Sequence, residues 1–193
     1  MLRNNGTNHN QALADKYVSA RFYNNPLAMC WHKKLLSMSW HSTLRDFGVK
    51  EVFWKLRIKP GHPTAFGMYN NTPVFSLPGN PVSTLLTFEE FVRPALLKMM
   101  GHHTVLKTLY RATLTEPIKK KIGRLQMLRV SVRINQDGEM MVSSAGDQNT
   151  GILRTLINAQ GIAFLAEERD FFAAGEKIDV HLLGVSTAFG GNL

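Results

Sequence analysis

The order of apolar and polar residues divides the chain into three stretches of different character. The middle stretch, residues 46–103, alternates short strand-like runs with one long helical period. Residues 49–58 (VKEVFWKLRI) are rich in β-branched and aromatic side chains, which predicts a strand. Lys59-Pro60-Gly61-His62-Pro63 ends it, because a proline has no N–H to give to a ladder. Two further strands are expected over 65–69 and 73–77, around the turn Asn70-Asn71. The turn Pro78-Gly79-Asn80-Pro81 then opens a helix over 82–100. Asn80 suits the N-cap and Pro81 the first helical position. Leu85, Phe88, Val92 and Leu96 recur at helical spacing and predict one buried face. Pro94 is a candidate kink, and Gly101 is placed to stop the helix.

Residues 104–188 change to short strands, expected over 105–114, 125–134, 140–143, 162–165 and 177–183. Asp137-Gly138 is a hairpin turn between two of them. Residues 151–158 read as one short helix. This pattern predicts a small β-barrel or sandwich. Residues 1–45 are Asn-rich and aperiodic and predict no stable core of their own.

Composition narrows the function. At 44% apolar and 19% charged residues, the chain can form a core, which excludes disorder throughout. The net charge of +9 points to an anionic partner, such as nucleic acid, a phosphorylated metabolite, an oxyanion or a membrane surface. The single cysteine, Cys30, excludes an intrachain disulfide and a cysteine zinc centre. No apolar run approaches the roughly 20 residues of a membrane helix, and residues 1–11 lack the apolar core of a signal peptide. A soluble, cytoplasmic protein with no membrane partner is therefore expected. Lys119-Lys120-Lys121 with Arg124 has no interleaved aromatic for stacking on bases, so nucleic acid is not the expected partner. His102-His103 falls in a loop after the helix stop, and His32 and His41 have no partner at useful spacing.

Candidate chemistry centres on two turns about twenty residues apart. Lys59-Pro60-Gly61-His62-Pro63 ends a strand, and Pro78-Gly79-Asn80-Pro81-Val82-Ser83 joins a strand to a helix. Ligands in open α/β sheets bind at the carboxyl ends of strands. A helix N-terminus there offers free N–H groups to an anion. Gly79 permits close backbone approach, Lys59 adds charge, and Ser83 adds a hydroxyl. This predicts an oxyanion or phosphate site.

The same residues carry a family resemblance. Phe53 to Pro63 (FWKLRIKPGHP), Phe75 to Ser83 (FSLPGNPVS) and Thr87 to Pro94 (TFEEFVRP) resemble the molybdopterin molybdenumtransferase (MoeA) family, which includes the E domain of gephyrin. Downstream, Gly123 to Arg129 (GRLQMLR), Gln148 to Ala159 (QNTGILRTLINA) and Gly175 to Ile178 (GEKI) resemble its C-terminal domain. The resemblance implies the C-terminal part of a MogA-like three-layer α/β domain over 46–103, followed by a small β-barrel domain over 104–188. It implies insertion of molybdenum, supplied as molybdate, into adenylylated molybdopterin. Lys59, Pro60, Gly79, Asn80, Pro81 and Ser83 would line the ligand side. Arg124 or Arg129 would approach from the barrel, across a homodimer interface. The family's first turn usually carries lysine where this chain has His62, which lowers the anion affinity expected there at neutral pH.

The resemblance also implies magnesium, held by paired aspartates after a serine-glycine-glycine turn just before Leu44. Here Leu36-Ser37-Met38-Ser39-Trp40-His41-Ser42 stands in that place, without a carboxylate. Magnesium needs such oxygens. The expectation is a truncated, catalytically impaired family member with a divergent segment over 1–45, from a shifted reading frame or a replaced N-terminus. The alternative is a non-catalytic scaffold or anion-binding interaction module.

Overall fold

The computed structural model describes residues 28–31, 44–149 and 154–184. In chain order the first elements are β1 (Ala28–Trp31), β2 (Lys50–Trp54), β3 (Ile58–Lys59), β4 (Ala65–Tyr69) and β5 (Thr72–Leu77). A continuous helical rod follows, made of α1 (Pro81–Thr87), a π turn (Phe88–Val92) and α2 (Arg93–Met99). The remainder is β6 (Leu109–Leu114), β7 (Ile118–Lys119), β8 (Leu125–Ile134), β9 (Met140–Ser144), α3 (Arg154–Ile157), β10 (Gly161–Leu165), β11 (Phe171–Phe172) and β12 (Lys177–Leu182).

The first sheet has the order β1-β5-β4-β2. β4 and β5 form the expected hairpin, with Phe66 opposite Phe75 and Asn70 in the left-handed region of the turn. Their alternating side chains put Phe66, Phe75 and Leu77 on one face, where Val92, Ala95, Phe88 and Leu96 of the rod cover them. Two expectations are corrected here. Ala28–Trp31, within the segment read as lacking stable structure, pairs in parallel with β5. It was hidden because a four-residue strand is too short to show a period. The strand expected over 49–58 is broken in two at Lys55, whose φ of 63° is left-handed. Backbone bonds from Lys55 N to Thr64 O and from Leu56 N to His62 O redirect the chain.

The rod begins and ends as its sequence predicts. Asn80 caps it, and Gly101 (φ 84°) closes it with bonds from His102 N to Leu97 O and from Gly101 N to Lys98 O. The π turn lies just before Pro94. A proline ring clashes with the carbonyl four residues back and offers no N–H, and a wider turn relieves both problems. Leu85 was expected on the buried face and is 39% exposed. Val82 and Leu86 are buried instead, and the rod divides its contacts between two clusters.

The second unit is a closed five-stranded ring, because β10 pairs with both β12 and β8 in the order β10-β12-β6-β9-β8. The architecture is thus an α/β unit followed by a small β-barrel, as expected. Alternate residues Ala112, Leu114, Leu128, Val130, Ala163, Leu165, Ile178 and Val180 fill the barrel. The outward Met127, Ile162 and Phe164 meet Leu56, Ile58, Val82 and Leu86 in a shared cluster that joins the two units. β3 extends the barrel sheet by pairing in parallel with β8, Ile58 opposite Leu125 and Lys59 opposite Gln126. Among the described residues, no helix is long and apolar enough to cross a membrane.

Candidate functional site

The Lys59–Pro63 turn is built against the rod. Gly61 has a φ of 104°, and a Cβ there would overlap Thr87 Cγ2. Only glycine fits both the backbone and the space. Thr64 Oγ1 donates to Gly61 O at 2.7 Å. His62 Nδ1 lies 2.6 Å from Leu56 O. A carbonyl can only accept, so Nδ1 carries a proton and only Nε2 remains for another partner. Lys59 stays exposed at the end of β3.

The second turn holds a correction. Val82 N and Ser83 N, expected to be free for an anion, donate to Asn80 Oδ1 at 3.1 and 3.4 Å. Pro81 has no N–H to offer. Thr84 N is bonded to Asn80 O at 2.8 Å. Thr84 Oγ1 donates to Pro78 O and Asn80 O. Ser83 is 6% exposed. An anion at this helix start would have to compete with Asn80 Oδ1 for these two N–H groups.

The barrel arginines part company. Arg124 is exposed just before β8. Arg129 was expected to reach a ligand from the barrel surface, and it is 1% exposed. Strand alternation points it out of the barrel, between the inward Leu128 and Val130, but the loop after β9 folds over it. Its Nη2 donates to Asp147 O at 3.0 Å and to Asn149 O at 3.4 Å. Gln148 grips its backbone, accepting from Arg129 N at 3.0 Å and donating to Arg129 O at 3.1 Å. Burial pulls the Arg129 guanidinium below its ordinary pKa, against an opposing pull from Asp147.

What the structure gathers is a basic rim at the start of β8. Lys59 lies opposite Gln126, two residues beyond Arg124. Lys120 Nζ donates to Lys121 O at 3.2 Å and to Arg124 O at 3.1 Å. Arg57 Nε pairs with Glu167 at 3.1 Å. Burial lowers the Lys120 pKa first, the charge of Lys59 pushes the same way, and Glu168, Glu167 and Asp170 oppose. Sequence reasoning missed Arg57 and Lys120 as members of this rim. The missing signal was the β3–β8 pairing, which no local pattern encodes. Residues 36–42, where a magnesium site would have been sought, lie outside the described residues. Among the described residues, no three His, Cys, Asp or Glu side chains converge as a metal site would require.

Comparison with known proteins follows the same division. Residues 41–98 match the family described as "Probable molybdopterin binding domain", and residues 111–183 match "MoeA C-terminal region (domain IV)". The chain is 38% identical to the molybdopterin molybdenumtransferase of Haemophilus influenzae over 137 residues, covering 68% of this chain and 34% of that protein. It is 35% identical to molybdopterin molybdenumtransferase 2 of Mycobacterium tuberculosis, covering 70% and 32%. It therefore spans about a third of the length of these relatives. A crystal structure of a molybdopterin biosynthesis moeA protein from Pyrococcus horikosii shares its fold, with a TM-score of 0.62 and 23% identity over 93% of this chain and 41% of that one.

Proposed function

The chain belongs to the molybdopterin molybdenumtransferase family, as its C-terminal portion, and on that premise we propose that it serves molybdenum cofactor biosynthesis in the cytoplasm. Its part is to bind the anionic reactants, molybdate and the phosphate-bearing pterin, on the rim at the start of β8. The observation that carries this reading is the pairing of β3 with β8. It sets Lys59, from one matched region, beside the strand that Arg124 opens in the other, within one chain. Tetrahedral dianions suit such a rim, because a cation there gives charge-assisted hydrogen bonds. A homodimer is part of the proposal, with each chain's Lys59 and Arg124 on its own rim.

Magnesium does not fit the described residues, which bring no three metal-binding side chains together. The sequence offers no carboxylate over residues 36–42. The chain by itself thus binds reactants without completing the insertion. The Asn80 cap favours a second reading, a non-catalytic scaffold, because it withdraws the helix N–H groups from ligand. Titration calorimetry with molybdate and with phosphate tests binding. A charge-assisted contact is worth about 1.5–3 kcal/mol, so Lys59→Ala should weaken molybdate binding roughly tenfold or more. Added salt should shrink that difference, since screening acts on charge. If Lys59→Ala and Arg124→Ala both bind molybdate as the parent does, the rim is not the site.

A further inference from the structure

We propose that Glu89, Glu90, Lys107 and His181 form a charge latch that holds the barrel on the helical rod. The four come from three places. Glu89 and Glu90 sit on the π turn, Lys107 in the connection between the rod and β6, and His181 on β12. Lys107 Nζ lies 2.8 Å from Glu89 Oε2 and 3.5 Å from Glu90 Oε1. Glu90 Oε2 is 2.8 Å from His181 Nδ1. The side chains of Glu90, Lys107 and His181 are 11%, 13% and 14% exposed. Charged groups are seldom so buried unless they are paired.

The surroundings make the set self-contained. Arg93 on α2 reaches Glu89 only at 4.0 Å, from the rim. Asp179, two residues before His181 on the same face of β12, is engaged by Arg111 at 2.8 Å. The His181 ring stands edge-on to Phe164, with ring centroids 4.8 Å apart. Phe164 belongs to the apolar cluster shared by the two units, and Leu109, opposite His181, packs against it. The latch therefore borders the apolar joint. Lys107 Nζ and Glu90 Oε1 have no aligned hydrogen bond, so charge balance rather than directional bonding holds them. Removing Lys107 leaves Glu89 with only the distant Arg93 and Glu90 with only His181, both at a largely dry joint; because both carboxylates sit on the rod, lifting the barrel away relieves this by letting water reach them.

Hydrogen exchange on the full chain tests the latch. The reporter is the Leu125 amide, which bonds Arg57 O at 2.9 Å across the joint. In Lys107→Met its exchange should accelerate about tenfold or more, while β4–β5 and β8–β10 ladder amides keep the parent's rates, as local opening requires. Lys107→Arg should restore the parent rate to within about threefold, because it keeps the charge. Should Lys107→Met not fold, His181→Gln should give the same selective pattern at about threefold. Acceleration spread evenly over all three sets of amides, or an unchanged Leu125 amide in whichever variant folds, would overturn the proposal.

Discussion

Arg129 shows how little a residue's type says about its task. Its charge and strand position made it a candidate for ligand, yet it is buried, its Nη2 held by the carbonyls of Asp147 and Asn149 and its Nε without a hydrogen-bond partner. Arg124, five residues earlier, is exposed. The two arginines should respond oppositely to truncation. Arg129→Ala removes buried charged hydrogen bonds and packing, and is expected to cost about 2–4 kcal/mol. Arg124→Ala should stay within about 0.5 kcal/mol, as surface changes do. Urea denaturation of the two variants checks this, and a neutral Arg129→Ala would remove its structural role.

At the scale of elements, the closing turn of the barrel gives a pH prediction. Arg169 and Glu176 form a two-point pair, with Nη2 to Oε2 at 2.9 Å, and Arg169 Nη2 also donates to Phe171 O at 3.0 Å. The Arg169 hydrogen bond, followed by the Ala173 backbone N–H, holds the Glu176 carboxyl below its ordinary range. A carboxyl depressed in the folded state stabilises the fold above its unfolded pKa, and that contribution is lost as pH falls through the folded value. Glu176→Gln should therefore be less stable than the parent at neutral pH, and the difference should close below about pH 4. Thermal melts from pH 7 down to 3 would measure it; a gap that stays constant would place the effect in packing instead.

For the whole molecule, the decisive matter is whether two joined units suffice for the chemistry. The chain has the barrel, the helical rod and a basic rim, and its described residues hold no converging set of metal-binding side chains. Expressed in a strain lacking its own molybdenumtransferase, it is expected not to restore molybdoenzyme activity at ordinary molybdate. Restoration would show that the carboxylates missing from residues 36–42 are not required. This outcome is separate from the calorimetry, since a chain can bind molybdate and still fail to insert it.

Local chemistry alone determined much of this protein. Proline, glycine and asparagine punctuate the β4–β5 hairpin, the Asn80 cap, the Gly101 stop and the turn at Gly138, and each acts within a few residues of itself. The bounds of β8 follow from its own run of alternating side chains. The motif Phe75 to Ser83, shared with the transferase family, was equally legible, because it holds the Asn80 cap. Only the tertiary structure decided the rest. The pairing of β1 with β5, the transfer of β3 to the barrel sheet and the covering of Arg129 all join residues distant in sequence. Leu85 lost its predicted place because the rod packs on two sides at once, with Val82 and Leu86 turned to the barrel. The ion cluster around Lys107 includes a contact, Glu90 to His181, between residues 91 positions apart. Periodicity reports which side of an element is apolar, but not which distant element will cover it; that choice rests on packing and charge balance that exist only once the chain has closed on itself.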